Sequence, residues 1–293
     1  MLENGSVALS VVIPCRNGAS TLPELLDALA EQTWGGSWEV VVADNGSTDG
    51  SVGIVESYAA RLPRLRIVEA TGKGGPAHAM NVGAAVADGR FLAFCDSDDV
   101  VGERWLSALG DALAIEPFVA AAQDVRRLNP QWLWKTRDEL GQHLPVTRFP
   151  PHLPYAGAGT IGILKELHEL VGGFDEEIGA QFEIDYAFRL AARGITPVLI
   201  PEAVLHYRWR TSVGANFRQG RWYAEGRAVI EGRYRSEPLG ALEIVRWPVA
   251  GWREILRWIP QIRNRGGRTR LAWLLGWQVG RYHAGFKHGV LVA

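Results

Sequence analysis

The segment Arg90–Asp99 reads RFLAFCDSDD, an unbroken apolar run from Phe91 to Cys95 that ends in three carboxylates, Asp96, Asp98 and Asp99. Such a run fits a parallel strand covered on both faces. In open α/β sheets ligands bind at the carboxyl ends of strands, so carboxylates there can hold a divalent metal and, through it, a phosphate group. Asp96 and Asp98 stand two residues apart, which puts both side chains on one side of an extended backbone. A solvated acidic turn, with Asp99 capping the next helix, is the plainer alternative that this pattern alone leaves open.

Two further polar clusters fall where a sheet would deliver them to the same edge. Leu9–Pro14 reads as a first strand, followed by a loop carrying Arg16 and Asn17, and Glu39–Ala43 as a second strand that runs into Asp44 and Asn45. The intervening segment from Thr21 to Gln32 is predicted helical. Thr21 and Glu24 have capping-box spacing, Pro23 suits a first turn, and Leu22, Leu25, Leu26 and Leu29 recur on one face. A helix from Ser51, a strand Leu65–Val68, a basic loop Gly72–Gly75 and a helix Pro76–Val86 complete an alternation that predicts right-handed crossovers and a parallel sheet. Polar residues at the ends of the first, second and fourth strands would then meet along one edge, as a nucleotide pocket requires.

Four motifs taken together, VVIPCRNGASTLPELLDALAEQT, VVVADNGSTDGS, KGGPAHAMNVGAAVADGRFLAFCDSDD and VGGFDE, resemble the inverting glycosyltransferases of family 2 across about residues 9–206. The resemblance implies the GT-A fold: α/β, Rossmann-like, a mostly parallel sheet flanked by helices. It implies a nucleotide-sugar donor in about residues 1–100 and an acceptor half over 101–206. On the donor side it points to Pro14, Arg16 and Asn17, to Asp44 as the base-reading aspartate with Asn45 beside it, and to Lys73 near the nucleotide. It makes Asp96 the ribose- or metal-side carboxylate and Asp98 the direct ligand of Mg²⁺ or Mn²⁺, which would neutralise charge growing on the departing nucleoside diphosphate.

The second half supplies the acceptor side. Glu103–Ile115 is predicted helical and Phe118–Ala122 extended, and residues 129–155, rich in Pro, Trp and His, read as a long loop over the site that helps select the acceptor. Tyr155–Leu164 is glycine-rich, and Gly157 and Gly159 allow a sugar to approach the backbone. In the VGGFDE turn Gly173 and Phe174 are expected on the acceptor side, although ending a helix and packing inward is their simpler role. FEIDYAFR (Phe182–Arg189) occupies the place where the family usually has Glu-Asp, a spacer, then Asp and a later Arg. Aligned on Asp185 and Arg189, it puts Glu183 where the catalytic aspartate stands and Phe182 where the preceding acid stands, a departure from the pattern. A glutamate can still act as general base, with Asp185 as its rival and Arg189 on the acceptor side. Ile184, Ala187, Phe188 and Ala191 form the buried stripe. His206, after a strand at Pro197–Ile200, is a candidate third metal ligand.

The 293 residues are 47% hydrophobic and 22% charged, ordinary for a soluble globular protein. No signal or transit peptide is indicated at the N-terminus, and the longest late apolar run, Leu271–Gly280, is about half the roughly 20 residues that cross a bilayer, so a cytoplasmic location is expected. Cys15 and Cys95 read as reduced packing residues. The net charge of −1 conceals an acidic body, 15 Lys+Arg against 27 Asp+Glu in residues 1–202, and a basic end, 16 against 5 in residues 203–293, which also holds seven of the twelve tryptophans. Residues 207–293 are therefore expected to form a helical extension. Its Arg and Trp suit an anionic membrane surface near a lipid-linked or glycan acceptor, and packing on the catalytic domain or on a second copy is the alternative. Nucleic acid is not expected as a partner, because no recognition motif accompanies the charge. Two other functions compete: a sugar-phosphate nucleotidyltransferase, which normally has a longer Gly- and Arg-bearing loop after the first strand, and a catalytically silent scaffold at the membrane.

Overall fold

The apolar run Leu9–Cys15 forms β1, and all seven of its residues are buried. Leu9, Val11 and Ile13 join one core, whereas Val12 joins the other, so the strand is covered on both faces. The computed structural model describes residues 7–134, 136, 147–149, 153–234 and 247–288. After β1 come α1 (Leu22–Ala30), β2 (Trp38–Asp44), α2 (Ser51–Ser57), β3 (Arg66–Glu69), α3 (Pro76–Val86) and β4 (Phe91–Phe94). Then follow β5 (Val100–Val101), α4 (Trp105–Leu113), β6 (Phe118–Asp124), α5 (Gln131–Trp134), β7 (Thr147–Phe149) and β8 (Leu153–Tyr155). The chain continues through β9 (Ile161–Leu164), α6 (Lys165–Leu170), α7 (Phe182–Ala191), β10 (Val198–His206), α8 (Val213–Arg233), α9 (Trp247–Trp258) and α10 (Arg265–His288).

The main sheet runs β3-β2-β1-β4-β9-β6-β10-β5. As expected, β3, β2, β1 and β4 are parallel. The second half supplies the antiparallel pairings of this mostly parallel sheet: β9 enters antiparallel between β4 and β6, and β5 pairs antiparallel with the end of β10. An antiparallel strand begins at the edge where its parallel neighbours end, so the residues just before β9 are delivered to the carboxyl edge. Leucines of α1, with Trp105, Leu106 and Leu109 of α4, cover one face; Met80 and Ala84 of α3, with Phe174, Ile184 and Phe188, cover the other.

Two expectations are revised by local contacts. The capping box at Thr21 does not form, because its hydroxyl donates to the Gly18 and Ser97 carbonyls instead of accepting from the helix. The late strand extends well past Ile200, through a register shift, to His206. Much of the loop expected over the site (135, 137–146 and 150–152) lies outside the described residues, and the rest includes α5 and the β7–β8 hairpin.

The basic end packs as helices, with α8 lying along α10. Glycines set how closely the two approach: a methyl group at Gly276 would stand inside the envelope of the Phe217 carbonyl, and one at Gly220 inside that of Trp273. Gly→Ala in a free helix gains about 1 kcal/mol. At Gly276 the added carbon meets rigid backbone, and overpacking of this kind costs about 1–3 kcal/mol. Gly276→Ala is therefore expected to lower stability by about 2 kcal/mol in urea unfolding, where a helix-propensity effect would raise it.

Candidate active site

Several side chains tie the loops after β1 and β2 together. The Asn17 backbone N–H, at a left-handed φ of +56°, donates to Ser47 Oγ (2.9 Å), and Asn17 Oδ1 accepts from the Thr48 N–H (2.8 Å). Gly18 N–H donates to Ser51 Oγ and Ala19 N–H to Asp49 Oδ2. Asp44 accepts from the Ser47 N–H with both carboxylate oxygens at 3.2 Å. Arg16, Asn17 and Asp44 thus reach the edge, but Pro14 is buried in register with Ala43. Asn45 is also buried, because it braces the next loop: its Nδ2 donates to the Ala70 and Lys73 carbonyls, and its Oδ1 accepts from the Gly75 N–H (3.0 Å). Lys73 pairs with Glu177 across a cleft of about 460 Å³ whose other charges include Arg233, itself paired with Asp175. That cleft is lined by neither Asp96, Asp98 nor Glu183.

The carboxylates collect at the end of β4. Asp96 lies against Gly159, where a Cβ would stand 2.8 Å from its Oδ2, so the glycine admits the carboxylate. The Gly157 carbonyl accepts the Thr160 N–H and hydroxyl in the same turn. Asp98 Oδ2 pairs with Arg210 at 2.7 Å. Asp99, 1% exposed, accepts the Arg208 N–H at 2.8 Å, while its Oδ2 has no partner. Arg208 also donates to the Asp98 carbonyl (2.8 Å) and pairs with Glu24 of α1. Asn129 fixes this segment by donating to the Tyr207 carbonyl and accepting the Trp209 N–H. Burial, the Asp98 charge and only partial relief from Arg210 push the Asp96 carboxyl up to about 7.

Helix α7 brings in Glu183. Its N-cap residue, Gln181, takes the left-handed φ of +61°, a conformation costing of order 1–3 kcal/mol in a residue with a Cβ. Burial, offset in part by a hydrogen bond to its own backbone and reinforced by the charge of Asp96, pushes the Glu183 carboxyl up to about 7. Tyr223 of α8 feels both Glu183 and Asp96, and burial followed by those charges raises its phenol well above the ordinary value.

Other residues expected in the site are placed elsewhere. Asp185, 0% exposed, accepts from Arg189 Nε (2.8 Å), Arg233 Nη1 (2.6 Å) and the Tyr234 hydroxyl (2.7 Å), which leaves it no role as a base. Arg189 also donates to the Val171 and Gly173 carbonyls, so it clamps the VGGFDE turn rather than serving an acceptor. Gly173 takes φ +67°, and Phe174 is packed among Phe94, His168, Phe182 and Tyr186. These residues form structure beneath the site. His206, the last residue of β10, is held through Nδ1 by Asp124 Oδ2 at 2.7 Å, and among the described residues no three metal-ligating side chains are gathered into one group. Arg208, Arg210, Tyr207 and Tyr223 are the contributors that sequence reasoning missed. The available signal was a dense run of Arg directly after a strand ending at the same edge.

A family model described as glycosyl transferase family 2 matches residues 10–171, more than half of the chain. The chain belongs to glycosyl transferase family 2. Among its relatives, the uncharacterized glycosyltransferase YibD of Escherichia coli K12 is 32% identical over 147 residues, 50% of this chain and 41% of YibD. The poly(ribitol-phosphate) β-N-acetylglucosaminyltransferase TarS of Staphylococcus aureus Mu50 is 39% identical over 99 residues, 33% of this chain and 17% of TarS. The matches thus span less than half the length of these relatives. Among solved structures, the mannosyltransferase PcManGT of Pyrobaculum calidifontis in complex with GDP-Man and Mn²⁺ superposes with a TM-score of 0.63 at 20% identity, over 96% of this chain and 90% of that one. TarS 1–349 with UDP-GlcNAc gives 0.54 at 19% identity, over 97% and 92%. These likenesses show the GT-A fold with helices following it.

In this family 2 chain the residues present fit a divalent cation. Asp96 and Asp98 are hard oxygen donors on one strand end, and the raised Asp96 carboxyl marks a place short of positive charge. Two carboxylates are a sufficient protein contribution where substrate phosphates and water complete the shell. The Asp185 cluster is structural, so Asp185→Ala, which strips a buried anion from Arg189 and Arg233, is expected to cost about 3–5 kcal/mol in thermal or urea unfolding, with nucleotide affinity of the folded fraction retained.

Proposed function

We propose that the chain moves a sugar from a UDP- or dTDP-sugar to a hydroxyl of a glycan or lipid-linked acceptor, with inversion at the anomeric carbon and with Mg²⁺ or Mn²⁺. The observation that carries this reading is Glu183, poised near neutrality beside Asp96 at the carboxyl edge. A base with its pKa near the working pH combines the required ionised form with real proton affinity. The acceptor oxygen attacks the anomeric carbon, the bond from that carbon to the diphosphate oxygen breaks on the opposite face, and the hydroxyl proton passes to the Glu183 carboxylate. Asp96 and Asp98 would hold a divalent cation, which would supply charge neutralisation at the diphosphate. Arg16, Asn17 and Asp44 at the ends of β1 and β2 take the nucleoside, and Lys73 lies on the neighbouring loop. Tyr207 and Tyr223 keep their protons, because the neighbouring Tyr223, then burial and the nearby aspartates raise Tyr207, and burial, then Glu183 and Asp96 raise Tyr223, and they serve as neutral donors. The bound GDP-Man and Mn²⁺ of PcManGT and the UDP-GlcNAc of TarS support a nucleotide-sugar donor and a divalent metal.

Thermal-shift measurement with UDP, dTDP and GDP sugars tests the donor side. One nucleotide class is expected to raise the melting temperature in the presence of Mn²⁺, with the gain lost in Asp98→Ala. Stabilisation by none of them would remove the basis of this reading.

Glu183→Gln tests the base. Release of nucleoside diphosphate is expected to fall by about 10²- to 10⁴-fold, and the wild-type rate to rise with pH until about 7, where the carboxyl is ionised. Stability moves the opposite way. The folded carboxyl holds its proton to about 7 and the unfolded one releases it near 4.5, so the wild type loses stability as pH rises through that window. Glu183→Gln is thus expected to melt above the wild type at about pH 8 and close to it at about pH 4.

A further inference from the structure

We infer that the outward face of α9 and α10 is a docking surface for an anionic lipid bilayer. The inner side of α9 is accounted for: Ile255 packs with Leu271 and Leu274 of α10, and Trp258 and Trp273 lie against them. The outer side exposes Trp252, Leu256 and Ile259 at helical spacing of four and three, continued by Ile262 in the 3₁₀ turn Ile259–Arg263. Helix α10 exposes Val279, Tyr282 and Phe286 at spacing of three and four. The Trp252 indole N–H donates to the Tyr282 hydroxyl at 3.3 Å, which joins the two stripes into one surface. Leu256 is 64% exposed and Phe286 93%.

Charge selects the occupant. Residues 247–288 carry seven Arg and one Lys against a single acid, Glu254. That carboxylate accepts from the Trp258 indole at 2.8 Å and lies 3.9 Å from Arg257, so it offsets one guanidinium group of the seven. Arg253 and Arg257 follow Trp252 and Leu256 by one residue each, so they flank the apolar stripe, and both are exposed, as are Arg263 and Arg268. A second copy seated on this face would oppose cations to cations. An anionic bilayer meets both demands, with apolar and aromatic groups entering the interface and guanidinium groups meeting the headgroups. Among the described residues no helix is long and apolar enough to cross a membrane, so the mode is surface binding.

The test uses the full chain with vesicles of phosphatidylcholine alone and of phosphatidylcholine mixed with phosphatidylglycerol, read by co-sedimentation and by tryptophan emission. Binding is expected to the mixed vesicles only, with a blue shift from Trp252. It should weaken at least about tenfold in Arg253→Glu/Arg257→Glu, since each cation near an anionic surface contributes a factor of several, and be lost in Leu256→Glu/Ile259→Glu. Failure of the wild type to bind mixed vesicles, or equal binding by both variants, overturns the proposal. So does a wild-type dimer in sedimentation velocity that Leu256→Glu/Ile259→Glu makes monomeric without any vesicle binding. None of these residues belongs to the carboxylate site, so nucleotide-dependent thermal shifts should be the same in wild type and variants, and the outcome is separable from that of the transfer reading.

Discussion

Asp96, Asp98 and Asp99 stand within one bend of chain at the end of a strand buried on both faces, and Glu183 is close enough for the Asp96 charge to raise its carboxyl, after burial. Like charges in a poorly solvated place raise one another's pKa unless opposite charge is supplied. Much of the rest of the molecule answers that constraint. Arg208 anchors the carbonyl of Asp98 and the carboxylate of Asp99, and Arg210 pairs with Asp98. Asp99 is buried, and of the two carboxylates on the open edge Asp98 has the ion pair with Arg210 while Asp96 draws only on the charge of that arginine, so Asp96 is where an added cation has most to gain.

The topology explains how distant segments reach this spot. Because β9 runs antiparallel to β4, with Ala93 opposite Gly162, the turn Gly157–Thr160 that precedes it lies past the end of β4, against Asp96. Because β10 runs parallel to β6, its last residue and the arginines after it arrive at the same edge from the other side. The segment following His206 therefore contributes charge to the carboxylates before α8 turns away, and α8 returns Tyr223 to them and Arg233 to Asp185. Residues 207–234 are bound into the site by these contacts whatever the outer helices do.

What could be read from the sequence divides along the range of the interactions. The strands β1, β2 and β4, the helix α3 and the carboxylate cluster follow from local pattern, since apolar runs, Pro at a helix start and acids at strand ends act over a few residues. Glu183 is singled out by its motif, and the structure brings it within reach of the Asp96 charge. The role of Asp185 was not legible, because three of its hydrogen bonds come from Arg189, Arg233 and Tyr234, the last two 48 and 49 residues away, and nothing in FEIDYAFR distinguishes an anion that acts from one that is locked. Thr21 and Glu24 show the same limit on a smaller scale. Their spacing is right for a capping box, but Ser97, 76 residues on, offers the hydroxyl a better acceptor, and Glu24 is taken by Arg208. The antiparallel entry of β9 was likewise hidden, because a four-residue strand carries no mark of its direction.

Phe182, the departure from the family's acidic motif, makes physical sense in this setting. Its ring is 4% exposed and packs edge-on against Phe174 at 5.2 Å, so it continues the aromatic core under the VGGFDE turn. A carboxylate at that position would have to be buried beside Glu183 and near Asp96, where both carboxyls already sit at about 7. A third unpaired anion there would push those values further from the ionised form that a base and a metal ligand both need. With phenylalanine in place, the first turn of α7 carries a single acid toward the site and an apolar anchor away from it. Asp185, in the same first turn, is clamped by Arg189, Arg233 and Tyr234 on the buried side of the helix. That clamp fixes how α7 is seated, and with it where the first turn presents Glu183.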